Sequence, residues 1–184
     1  MFSNEIVWEN KETFGCEYLK CVITDAVVLA ESTVIYLEPS YPVQINYRIE
    51  MDRSWCTKHV NIYSKNGQSL RLTSIKLGKW TDQNGIEMTE LEGAIDIDIS
   101  ATPFTNSLPV NRFEWKPNQQ RELDMAYISI PSLEVSKMKQ IYTFVEKRGE
   151  IRVFNFQSPG FESLISIDEK GFVINYPGLF NRKY

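Results

Sequence analysis

Apolar and polar residues alternate with a period of two along much of the chain. The pattern is clearest from Val43 to Arg53, where Ile45, Tyr47, Ile49 and Met51 fall on one face and Gln44, Asn46, Arg48, Glu50 and Asp52 on the other. Successive strand side chains point to opposite faces, so this is the pattern of a strand buried on one side. A second stretch sets Ile95, Ile97 and Ile99 against Asp96 and Asp98, which predicts an apolar face and a carboxylate face. Pro103 and Pro109 then remove backbone donors, while Thr102, Thr105, Asn106 and Ser107 offer short side chains to nearby backbone. The strand therefore ends there, in a polar connection that runs on towards Trp115.

Other segments repeat the signal. Trp8 sits in a short candidate strand, and Cys16 to Thr24 and Ala26 to Glu38 predict two more. A helix over Glu17 to Leu37 is the competing reading, disfavoured by Val22, Ile23, Val27, Val28, Thr33, Val34 and Ile35, which suit a pleated surface. Trp55 to Lys65 runs into Asn66-Gly67, a type I′ hairpin signal, and Gln68 to Trp80 returns with a change of phase between Leu72 and Ile75 that predicts a β-bulge. Arg121 to Ile130 is a strand closed by Pro131, and Ser132 to Lys139 has room for one helical turn. Gln140 to Lys147 and Glu150 to Gln157 flank a turn at Arg148-Gly149. Phe161 to Asp168 and Phe172 to Tyr176 flank another at Glu169-Lys170-Gly171.

The spacing predicts about eleven or twelve strands and little helix. So many strands in one chain curl to protect their edges. The expectation is one all-β domain over residues 1–184, an antiparallel wrapped sheet forming a barrel or partly open half-barrel, with a cavity inside it.

Composition narrows the function. With 42% hydrophobic and 12% aromatic residues the chain can furnish both a core and aromatic-walled pockets. A formal charge of -4, with Lys and Arg scattered, offers no field for a phosphate backbone, so nucleic acid is not expected as a partner. The N-terminus has no secretory signal pattern and no apolar run approaches the ~20 residues of a membrane-spanning helix. The expected location is the cytoplasm. Cys16, Cys21 and Cys56 do not have the spacing of a disulfide framework. Cys56 and His59 are three apart and face opposite ways on a strand, which disfavours a zinc site. No nucleophile elbow accompanies the lone His59, and no glycine-rich phosphate loop occurs, so neither a catalytic motif nor a cofactor is expected.

Several stretches in order carry a family resemblance: Trp8 with Gly15-Cys16-Glu17, Ile45-Asn46-Tyr47-Arg48 with Trp55, Asp96-Ile97-Asp98-Ile99 with Thr102-Pro103-Phe104-Thr105-Asn106-Ser107-Leu108-Pro109, and Gly171-Phe172-Val173 with Tyr176-Pro177-Gly178-Leu179. Over nearly its whole length the chain resembles the bacterial family called putative glycolipid-binding proteins. Glu9, after Trp8, and Cys16 depart from the family's usual residues. The resemblance implies a wrapped antiparallel β fold, similar to lipoprotein-carrier half-barrels, and a glycolipid as ligand. It brings no catalytic residues.

Candidate contacts follow from side-chain chemistry. Tyr47, Trp55 and Trp115 can stack on sugar rings or an acyl chain, with core packing as the alternative. Arg48 and Arg112 can hold an anionic head group, or else pair with acidic neighbours across strands. Asp96 and Asp98, about 7 Å apart along one strand face, and Asn106 can bond sugar hydroxyls. The alternatives are that the carboxylates form a solvated or hydrogen-bonded polar face, or serve as acid and base in a small glycan or lipid hydrolase. Three functional readings stand: non-enzymatic binding of an amphipathic glycolipid or lipid, that hydrolase, and a structural or partner-binding module with a packed interior.

Overall fold

The computed structural model describes residues 2–184. Among them the chain forms β1 (Phe2–Asn10), β2 (Gly15–Ile23), β3 (Val28–Leu37), β4 (Pro42–Met51), β5 (Thr57–Ser64), β6 (Ser69–Lys76) and β7 (Lys79–Thr81). A 3-10 turn at Thr89–Leu91 leads to β8 (Asp96–Ile99), then a second 3-10 turn at Phe104–Asn106 continues into α1 (Ser107–Arg112). The remainder is β9 (Gln120–Ile128), β10 (Val135–Arg148), β11 (Ile151–Ser158), β12 (Phe161–Ile167), β13 (Val173–Tyr176) and β14 (Phe180–Arg182).

All fourteen strands of the described residues join in one sheet, in the order β7-β6-β5-β4-β3-β2-β1-β14-β13-β12-β11-β10-β9-β8. Each half of the chain is an antiparallel meander, and the two terminal strands sew the halves together: β1 pairs with β14, Trp8 opposite Arg182. The Trp8 indole also donates to the carbonyl of Val173 at 2.8 Å. The parallel pairing of β8 with β9 is the exception to the antiparallel order.

The sheet wraps without closing. Its edges, β7 and β8, are joined by the segment between them. The Trp80 indole donates to the Ala94 carbonyl at 2.6 Å, and the Gly93 amide donates to the Gly78 carbonyl at 2.8 Å. Both glycines have positive φ, and a Cβ on Gly78 would stand 3.1 Å from the Gly93 Cα. This close backbone crossing suits glycine.

The predicted alternation of β4 holds: Val43, Ile45, Tyr47, Ile49 and Met51 are buried, while Asn46 and Arg48 face outwards. The phase change between Leu72 and Ile75 is borne out as an irregularity in β6, whose register against β7 shifts between Ser74 and Lys76, although Gln68 to Trp80 is not one strand, because a turn at Leu77-Gly78 separates β6 from β7. Other expectations are corrected. Ser132 to Lys139 is mostly the start of the long strand β10, and Phe180–Arg182 is a strand the sequence did not reveal. Trp55 precedes β5 with φ 62°.

The largest correction concerns the interior. Thr102 to Val110 is no surface connection. Every residue of it is buried, and the segment lies inside the wrapped sheet as a plug. Phe104 and Leu108 join the core formed with β1 to β9, and Val110 joins the core under β10 to β14. The lumen expected of a wide barrel is filled by the chain itself. Phe104 is wholly buried, its ring stacked between Tyr47 and Phe172 at centroid distances of 6.4 and 6.3 Å. Phe104→Ala should cost about 3–5 kcal/mol of unfolding free energy in urea titration; a cost under about 1 kcal/mol would mean the plug does not support the sheet.

Candidate functional site

A segment that leaves the sheet yet stays buried needs partners for its polar groups. Three carboxylates approach it. Glu17, inward-facing on β2 and 1% exposed, accepts hydrogen bonds from Ser32 Oγ at 2.7 Å, Thr102 Oγ1 at 2.6 Å and the Tyr47 hydroxyl. Burial pushes its carboxyl up to about 7 against the pull of those three donors. Tyr47 is pushed well up by burial and by the Glu17 charge beside it, so it remains a donor.

Asp98 accepts from Thr105 Oγ1 at 2.8 Å and Gln140 Nε2 at 2.6 Å. Burial raises its pKa and these two bonds oppose the rise. Asp96 accepts from Arg112 Nη1 at 2.6 Å, with side-chain exposures of 0% and 7%. Burial raises Asp96 too, and the guanidinium holds it down. The plug is thus tied at its start to Glu17, in its middle to Asp98 and at its end to Asp96. Of the two forms of polar face expected for the β8 carboxylates, the hydrogen-bonded one is found and the freely solvated one is not: Asp96 is buried, Asp98 partly so, and each is held by side-chain donors.

Beside Asp98 a cavity of about 280 Å³ opens between the plug and the C-terminal strands. Phe156, Phe161, Tyr176 and Phe180 wall it on one side, and Asp98 and Asn106 supply polar groups on the other. Phe156, Phe161 and Tyr176 pack as a trio with centroids 6.0 to 6.2 Å apart. The Tyr142 hydroxyl donates to Asn106 Oδ1 at 2.9 Å, which orients that amide. Burial and the Asp98 charge push the Tyr176 phenol well up, so it keeps its proton.

Of the candidate contacts, Asp98 and Asn106 reach this cavity. Asp96 and Arg112 are not among its lining residues; they lock the end of α1, with the guanidinium 4.5 Å from the Phe113 ring centre. Tyr47 lies behind it in the Glu17 cluster. Trp55 packs edge-on to Phe172 at 6.2 Å, and Trp115 edge-on to Phe154 at 5.0 Å while donating to the Val110 carbonyl. Arg48 stands on the outer face, paired with Glu31 on β3, in a shallow groove of about 450 Å³ that includes Lys20, Asn46 and Tyr63. Charged side chains there pair across strands in water, which yields little stabilisation. Sequence reasoning missed Glu17 as a buried acid, together with Gln140, Phe156 and Phe161. Among the described residues no group of three or more His, Cys, Asp or Glu is placed to hold a metal.

Fold and site together define an all-β protein whose open wrapped sheet is filled by a polar-anchored plug and carries one aromatic-walled cavity beside it. The chain belongs to the family described as "Putative glycolipid-binding", whose model matches residues 5–182. A crystal structure of a DUF1089 family protein from Pseudomonas aeruginosa is similar at 29% identity and a TM-score of 0.77, covering 91% of this chain and 92% of that one. No curated protein matches the chain. No helix of the described residues is long and apolar enough to cross a membrane.

Glu17 makes stability pH-dependent. Its folded carboxyl keeps its proton to about pH 7, whereas the unfolded one loses it near the ordinary glutamate value of 4.5. The stabilisation is complete below the unfolded value and is lost as pH rises through the folded one, about 3 kcal/mol in all. The unfolding free energy of the wild type minus that of Glu17→Gln should therefore fall by about that amount between pH 4 and pH 8; parallel pH profiles would refute the assignment. Arg112→Ala strands a buried carboxylate and should cost about 3–5 kcal/mol. The loss should be larger at pH 8 than at pH 5, where Asp96 can take up a proton.

Proposed function

We propose that the protein binds an amphipathic ligand of the glycolipid or lipid type without transforming it, in the cavity beside Asp98. The observation that carries this reading is the convergence, in one hollow, of an aromatic wall with the polar groups of Asp98 and Asn106. Ligand sites combine mostly apolar walls with a few oriented polar groups in this way. The family description points to the same class of ligand.

Hydrolysis by an Asp96/Asp98 pair fits less well. Two carboxylates must flank one bond, and here Asp96 is ion-paired to Arg112 away from the cavity lining. The module with a packed interior is the second reading, and the buried plug is the observation in its favour.

Native mass spectrometry of the freshly purified protein separates the two. Binding predicts an adduct that denaturing extraction releases as an amphipathic molecule, with occupancy reduced several-fold in Asp98→Asn. An apo mass that gains no adduct on incubation with a total lipid extract would turn the assignment to the packed module.

A further inference from the structure

We infer that the cavity beside Asp98 takes a single uncharged sugar ring of the ligand and leaves the acyl chain outside the protein. This rests on the binding reading above and specifies which part of the ligand is recognised.

Size comes first. A volume of about 280 Å³ corresponds to about nine waters in the liquid. That is room for one six-membered ring with its hydroxyls, and because the hollow opens to the surface, a long chain attached to that ring has a way out. The sheet interior offers the chain no alternative berth, because Phe104, Leu108 and Val110 of the plug are wholly buried there. At the outer end of the cavity stand Pro159, exposed in the β11–β12 turn, and Phe161, 37% exposed. This apolar rim is where a chain attached to a seated ring leaves the protein.

Charge comes second. No Lys, Arg or His is among the described residues that line the cavity, whereas a carboxylate is. Asp98 is the partly buried acid held by Thr105 and Gln140. A phosphorylated or sulfated head would bring a like charge to it with no cation to compensate, in surroundings where repulsion is stronger than in water. A neutral ring meets the opposite situation. Its hydroxyls donate to the remaining lone pairs of Asp98, accept from the Tyr176 hydroxyl, and its apolar face lies on the ring of Tyr176 or Phe161.

Isothermal titration of the full chain with a panel of probes tests this: the methyl glycosides of glucose, galactose and mannose in both anomers, their octyl counterparts, their 6-phosphates, and sodium octanoate. The expected result is that at least one methyl glycoside binds and its octyl counterpart binds within tenfold of it. The matching 6-phosphate should be at least tenfold weaker, and octanoate should not displace the sugar. Asp98→Asn should weaken the glycoside at least tenfold. Ser158→Arg, which places a cation on the cavity wall, should strengthen the 6-phosphate relative to the wild type, a gain that an unfolded variant cannot mimic. A 6-phosphate that binds as tightly as the neutral glycoside overturns the inference. So does binding of octanoate and octyl glycosides with no methyl glycoside bound, an outcome that leaves amphipathic binding standing. If no probe binds, both this inference and the proposed function fall.

Discussion

Burying a stretch of chain that belongs to no strand is the constraint on which the rest of this structure depends. Inside a sheet, every backbone group of such a segment must find a partner, and an unpaired one costs about 1–3 kcal/mol. The composition from Thr102 to Arg112 answers that demand. Pro103 and Pro109 have no N–H to satisfy. Tight 3-10 and α turns pair several of the remaining groups locally, and the Phe104 amide donates to Thr102 Oγ1 at 3.0 Å. Thr102, Thr105 and Arg112 then pass the polarity on to Glu17, Asp98 and Asp96, so buried carboxylates and buried segment account for each other.

The same constraint explains what could be read in advance. Where one sheet face meets the core and the other meets water, the alternation is legible, as in β4; the hairpin at Asn66-Gly67 is also found, but only its glycine has positive φ (92°), so the turn is not the type I′ turn expected there. β8 misleads because its second face is also buried: Asp96 and Asp98 look solvated by residue type, and their partners lie seven to forty-two positions away at Thr105, Arg112 and Gln140. Short β14 carries too few residues to show a period. The cavity is harder still, since Phe156, Phe161, Tyr176 and Phe180 come from four strands and look like ordinary core aromatics until pairing brings them together.

Edges pose a separate problem for an open fourteen-stranded sheet, because unpaired strand edges template association. Here the segment after β7 turns back along it, with the Met88 amide donating to the Trp80 carbonyl at 2.8 Å, and then crosses the chain at Gly78 and Gly93 just before β8. Pairing of β1 with β14 removes the edges that the two terminal strands would otherwise present. The plug fills the space that wrapping creates, so wrap and plug need one another: without the plug, Tyr47, Phe172 and Ile97 would line a void.

Two buried acids, Glu17 and Asp96, and a third partly buried one, Asp98, with an arginine at one of the three, are a costly arrangement that a packed apolar core would avoid. The distribution of partners gives it a rationale. Asp96 is neutralised by Arg112 and fastens the end of α1. Glu17, surrounded by hydroxyl donors alone, is pushed towards neutrality and fastens the start. Asp98 lies between them, held by two side-chain donors, and among the three it is the one that lines the cavity. A carboxylate kept at a cavity wall needs its neighbours immobile, because its desolvation is offset only while Thr105 and Gln140 stay in register. The anchors at either end of the plug, Thr102 on Glu17 and Arg112 on Asp96, hold the segment that carries Thr105, and so the packing of the interior also fixes one of the two donors to Asp98.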